Sequence, residues 1–166
     1  MHNSFTRAIA YCALGLMIFF VSSVDAQTLT GVVSRKIHGV AGMFDLPIAT
    51  GIPITGAVTV EPRVIGAGHQ LVFQFNNSVN AVAASSATIG TATHAINGND
   101  VVVTLTGVPD NQRVTVTLTG VDVTGVVGNL VPDPQVSVGF LVGDVDGNLS
   151  VEITDLKQVK SRSEIR

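Results

Sequence analysis

Runs in which apolar and polar residues alternate one for one dominate this chain, and they restrict it to strands. Side chains on a strand point to opposite faces in turn. A period of two therefore sends one set to a core and the other to solvent. Val101-Val102-Val103-Thr104-Leu105-Thr106 and Arg113-Val114-Thr115-Val116-Thr117-Leu118-Thr119 are β-branched runs of this kind. Between them, Gly107-Val108-Pro109-Asp110-Asn111-Gln112 is rich in turn formers, so the pair reads as a hairpin. Leu71, Phe73 and Phe75 alternate with Val72, Gln74 and Asn76, and Val136, Val138 and Phe140 with Ser137, Gly139 and Leu141. Further strands are expected over Thr30–Ile37, Ala57–Glu61, Ala87–Ala92 and Val121–Val126.

About seven to nine short strands, punctuated by Gly, Pro and Asn, predict a mainly β fold, an antiparallel β-sandwich of immunoglobulin-like type. A small β-barrel is the alternative. Phe44, Phe73, Phe75 and Phe140 are expected in the core. Without Trp, and with a lone Tyr at position 11, the chain lacks the aromatics that favour sugar stacking.

Residues 1–26 read as a secretory signal peptide: His2 and Arg7, an apolar stretch from Ala8 to Val21, and small residues ending at Ala26 before Gln27. The apolar stretch falls short of the ~20 residues that a membrane span needs, so no stable span is expected after cleavage. The protein is then expected outside the cell, at the cell surface or in the periplasm. Its only cysteine, Cys12, leaves with the signal, so no disulfide supports the fold. A net charge of −3 argues against a nucleic-acid partner, which needs a clustered basic surface.

The chemistry lies after the last strand, in Asp144-Val145-Asp146-Gly147-Asn148-Leu149-Ser150-Val151-Glu152-Ile153-Thr154-Asp155. Oxygen donors at loop positions 1, 3, 5, 7, 9 and 12 follow the spacing of an EF-hand-type calcium loop. Asp144, Asp146 and Asn148 would point inward and Ser150 would offer its carbonyl. Glu152 would act through water, and Asp155 would close the shell. Val151 would pin the loop onto a core. Leu149 holds position 6, where glycine is usual because the backbone is left-handed there. A non-glycine residue pays roughly 1–2 kcal/mol for that conformation. The site is therefore expected to bind calcium weakly, at roughly 10⁻⁴–10⁻³ M. After Asp155 a helical period begins, with Leu156 and Val159 on one face and Lys157, Lys160 and Arg162 outward.

Gly143-Asp144-Val145-Asp146-Gly147-Asn148, followed by Val151, Asp155-Leu156 and Val159-Lys160, resembles one repeat of a type I dockerin. Ser34-Arg35-Lys36-Ile37-His38-Gly39 and Gly42-Met43-Phe44-Asp45-Leu46-Pro47 resemble secreted bacterial proteins with an immunoglobulin-like module before such a tail. The resemblance implies three parts: residues 1–26 as signal, 27–142 as β-sandwich and 143–166 as a partial dockerin-like repeat. It also implies a cohesin-like partner, met by Ile153, Thr154, Lys160 and Ser161, in a polysaccharide-degrading system.

Other constellations are weaker. His38, His69 and His94 lack ligand spacing, and no Gly-x-Ser-x-Gly elbow supports a hydrolytic serine. Glu61, Asp45, Asp100 and Asp110 read as solvated carboxylates beside turns. The chain reads as a non-catalytic calcium-binding module. The alternative is a glycan-binding accessory module that works through the sandwich.

Overall fold

The computed structural model describes residues 28–51, 56–64, 66, 68–123 and 133–163. The expected signal peptide and the last residues of the strand expected at Val121–Val126 lie outside these. Among the described residues nine strands follow one another: β1 (Leu29–Ile37), β2 (Met43–Ile48), β3 (Thr59–Glu61), β4 (His69–Phe75), β5 (Val79–Ala87), β6 (Thr91–Asn97), β7 (Asp100–Thr106), β8 (Gln112–Val123) and β9 (Gln135–Phe140). One helix, α1 (Ile153–Ser163), closes the series. The strands form two sheets, ordered β2-β1-β4-β7-β6 and β3-β9-β8-β5. The protein is mainly β, and its two sheets over one core are consistent with the sandwich predicted from the period-two runs. No helix among the described residues is long and apolar enough to cross a membrane.

The alternating residues meet as their period requires. Leu71, Phe73 and Phe75 of β4 and Val101, Val103 and Leu105 of β7 come from one sheet. Val114, Val116 and Leu118 of β8 and Val136, Val138 and Phe140 of β9 come from the other. All twelve join a single buried cluster. Burying a side chain of this size is worth about 1.5–3 kcal/mol.

Three expectations about strand pairing, strand bounds and the core need correction. The runs around residues 101–106 and 113–119 are not a hairpin. β7 pairs with β4 and β6, whereas β8 pairs with β5 and β9, so the turn-rich segment between them crosses from one sheet to the other. Val108 is buried at that crossing, with Gly107 and Asn111 left-handed on either side of it. An apolar anchor inside a turn-rich segment marks a bridge between layers. The hairpin is β6–β7: Asn97 pairs with Asp100 across Gly98-Asn99, and Gly98 has the positive φ that a two-residue turn needs at its first position. The strand expected at Ala87–Ala92 straddles the break between β5, which ends at Ala87, and β6, which begins at Thr91. Phe44, expected in the core, is 50% exposed on the edge strand β2, where it meets His38 edge-on with ring centroids 5.4 Å apart.

A polar lacing closes one side of the two-sheet body. Glu61, at the end of β3, is buried, not solvated. It accepts hydrogen bonds from Ser34 Oγ of β1 and from Arg63 Nε (2.6 Å) and Nη2 (2.5 Å). Arg63 also donates Nη1 to the Phe44 carbonyl (3.0 Å) and Nη2 to the Ser34 carbonyl (2.8 Å), so one guanidinium ties β3 to β1 and β2. Burial pushes the Glu61 carboxyl upward, but the bonds from Arg63 and Ser34 outweigh it and hold the group below the usual carboxylate value.

Beside this lacing, His69 is buried against Phe140, ring centroids 4.2 Å apart. Burial depresses its pKa from 6.5 to about 4, against the pull of Glu61 and with the push of Lys36 and Arg63. Above the unfolded value both states are neutral. As pH falls from 6.5 toward 4, the unfolded chain takes up a proton that the folded protein refuses, so stability drops across that window. The loss is expected to reach about 3 kcal/mol. A His69→Phe variant should show a flatter dependence of its denaturant midpoint over the same range. An unchanged slope would assign the acid sensitivity to other groups.

Candidate metal centre

β9 runs straight into the acidic segment, and three hydrogen bonds pin the junction to the sheets. Leu141 N–H donates to the Glu61 carbonyl (3.4 Å) and Gly143 N–H to the Pro62 carbonyl (3.0 Å). Val142 N–H donates to the Asp110 carboxylate (2.8 Å). Thus the crossing loop between β7 and β8 and the end of β3 both hold the root of the loop.

Within the loop, short acidic side chains organise the backbone by accepting its N–H groups, as Asp and Asn do in tight turns. Asp144 Oδ1 accepts from Gly147 (2.8 Å) and Asn148 (3.2 Å), and Oδ2 from Leu149 (2.8 Å). Asp146 Oδ1 accepts from Asn148 N–H (3.1 Å), and Asn148 Oδ1 from Ser150 N–H (2.8 Å). Asp155 reaches back from the first turn of α1. Its Oδ2 accepts from Glu152 N–H (2.8 Å), the reciprocal half of a capping box, in which an acid three residues into a helix satisfies the N-cap amide. Its Oδ1 accepts from Val145 (2.8 Å) and Asp146 (3.2 Å). These bonds, the one from Glu152 foremost, hold the Asp155 carboxyl below the usual value.

One carboxylate oxygen from each of Asp144, Asp146 and Asp155 lies within 4.8 Å of the other two. Asp144 is 1% exposed and Asp155 2%, and neither is paired with a Lys or Arg side chain among the described residues. Two buried anions and a third at the surface repel one another. Backbone N–H dipoles offset part of that cost, and a cation between the oxygens would offset much more. The donors are all hard oxygens, a set that suits calcium or magnesium over zinc or copper.

The remaining residues expected as ligands flank this trio. Asn148 and Ser150 lie on the same loop, with the Asn148 oxygen turned to the Ser150 amide. Glu152 is exposed, and its carboxylate adds no oxygen to the cluster.

Leu149 adopts the left-handed conformation expected at loop position 6, with φ of 69°. Its side chain explains why a leucine is kept at that cost. A Cβ on Gly139 of β9 would stand 3.6 Å from Leu149 Cδ2, so Leu149 rests on the outer side of the sheet. There it forms one wall of a cleft of about 250 Å³ with Val58, Gln112, Arg113 and Phe140. Val151, expected to pin the loop onto a core, is instead largely exposed and packs beside Gly143 of its own loop. Leu149 is equally exposed, at 55%, so the two differ in what they touch: Leu149 meets the sheet at Gly139, and Val151 meets only its own loop.

Ile153, Thr154, Lys160 and Ser161 are all exposed on α1. The histidines are dispersed: His94 Nδ1 meets Ser85 Oγ at 3.0 Å, His38 meets Phe44, and His69 is buried. Of the other carboxylates, Asp45 holds Arg35 in a bidentate pair at 2.9 and 2.8 Å. The Ser34–Glu61–Arg63 lacing escaped the sequence reading. An acid and a base two residues apart across Pro62, at the end of a strand, are its only trace there.

Comparison with known proteins adds no identity. No family model matches the chain, and no curated protein is significantly similar to it.

Proposed function

We propose that this protein is a secreted, non-catalytic module whose C-terminal loop binds calcium and thereby orders α1 as an attachment element. The observation that carries the reading is the meeting of Asp144, Asp146 and Asp155, two of them buried, with no Lys or Arg side chain paired to them among the described residues. The spacing of donors along residues 144–155 favours calcium within the hard-cation class. Asp144, Asp146 and Asp155 would bind through carboxylate oxygens, with Asn148, the Ser150 carbonyl and a water held by Glu152 completing the shell. Resemblance to a dockerin repeat supports a cohesin-like partner at the cell surface. Ile153, Thr154, Lys160 and Ser161 would meet it, on a helix whose start is capped by the ligand Asp155. An immunoglobulin-like sandwich as the carrier of this loop is part of the same proposal.

Because the loop is tied to Glu61, Pro62 and Asp110, calcium should stabilise the whole protein and not its tail alone. A ligand present at about 10–100 times its dissociation constant adds about 1.4–2.7 kcal/mol. Thermal unfolding in about 10 mM calcium should therefore rise by roughly 5–10 °C over the same protein in chelator. Magnesium at equal ionic strength is the control. Identical midpoints in calcium and chelator would sink the proposal.

A further inference from the structure

Helix α1 has 11 residues, fewer than an isolated helix needs to persist in water, where stability comes from packing an apolar face. That face is uncovered. Ile153, Leu156 and Val159, spaced three apart on one side of the helix, are 62%, 62% and 50% exposed. The one buried residue of α1 is Asp155, on the side toward the acidic loop.

Charge along this segment is divided by position. Asp146 and Glu152 are exposed ahead of the helix, Asp144 and Asp155 are buried beneath them, and the exposed Lys157, Lys160 and Arg162 follow. A second copy laid antiparallel against the stripe brings the basic end of each helix opposite the exposed acids at the start of the other. It also opposes the two helix dipoles favourably. A parallel copy would place like charges together. Surfaces that complement themselves under a two-fold axis form closed dimers.

We infer that the Ile153–Leu156–Val159 face pairs antiparallel with the same face of a second copy of this chain. The dependence of this pairing on calcium rests on the metal reading above. The ion would hold the first turn of α1, and with it the apolar stripe, in place. Three apolar side chains per copy bury less than the roughly 1,200 Å² of a stable complex. The dimer is therefore weak, and the charges set its orientation more than its strength.

Sedimentation equilibrium up to about 1 mM protein, in calcium and in chelator, reads this directly, because association that weak still registers there. In calcium the weight-average mass should climb toward twice the monomer mass with concentration. Leu156→Asp and Val159→Asp should remain monomeric while taking up calcium as the unaltered protein does. Both positions are already exposed, so neither change threatens the fold. A protein that binds calcium yet stays monomeric throughout would overturn the pairing and leave the metal site standing. A dimer that survives both substitutions would place the interface elsewhere and overturn it equally. Equal association in calcium and chelator would remove the calcium dependence. Absence of calcium uptake would overturn the metal reading itself.

Discussion

Replacing Asp144 by Asn is expected to weaken calcium binding by at least about 100-fold, near 2.7 kcal/mol, while both sheets stay folded. Asn keeps one oxygen to accept from the loop amides but removes the unit charge from the first ligand position. Asp144→Ala goes further. It also frees the N–H groups of Gly147 and Leu149, which now end on that carboxylate, and leaves Asn148 N–H to Asp146 alone. Bonds to a charged acceptor are worth about 1.5–3 kcal/mol each, part of which water would return. The Ala variant should therefore lose loop order even without metal, seen as faster amide exchange at residues 147–149. The Asn variant, with one oxygen left, should keep that protection at Gly147 and Asn148 and lose it at Leu149. If the Asn variant bound calcium with unchanged affinity, the charge of Asp144 would have no part in the site.

The second large effect belongs to the lacing. Arg63→Ala leaves Glu61 buried without its counter-charge, removes the tie to β2 and leaves Ser34 as the one side-chain link from Glu61 to β1. Removing one partner of a buried pair costs about 3–5 kcal/mol. For a domain of this size that lowers the unfolding midpoint by roughly 10–20 °C. Replacing both Glu61 and Arg63 by Met should cost less than Arg63→Ala alone, because no lone charge remains. The loop should register the damage too, since the carbonyls of Glu61 and Pro62 receive the amides of Leu141 and Gly143. A loss below about 1 kcal/mol would mean that Glu61 finds water in place of Arg63, and that the lacing is not structural.

The residues that were legible in the sequence are those whose periodicity and burial coincide. Leu71, Phe73, Phe75, Val114, Val116 and Leu118 alternate cleanly and lie in the core. Pairing was less legible, because turn-rich composition between two strands does not distinguish a hairpin from a crossing between sheets. Val108, buried inside Gly107–Gln112, is what separates the two cases here. β5 was obscure because it is written in Ala, Ser and Asn, which have little strand preference of their own. It is held by pairing with β8. Phe44 misled because a large aromatic is expected in the core, yet it lies on the edge strand β2, where Met43, Phe44 and Asp45 are all exposed.

At the metal loop, local spacing carried most of the information, because Asp144, Asp146 and Asp155 need only short-range turns to converge. What surrounds the loop depends on distant segments. The grip of Asp110 on Val142 and the rest of Leu149 on β9 join parts of the chain that no local pattern links. The same holds for Glu61, a turn carboxylate in sequence and a buried ion pair once β3 lies beside β9.

Calcium binding through the Asp144–Asp155 loop is the centre of this account, and titration calorimetry tests it most directly. The protein and its Asp144→Asn variant would be titrated with calcium side by side. One calcium per chain, at roughly 10⁻⁴–10⁻³ M and lost in the variant, is the predicted result. No heat of binding at millimolar calcium, or equal binding by the variant, would contradict it.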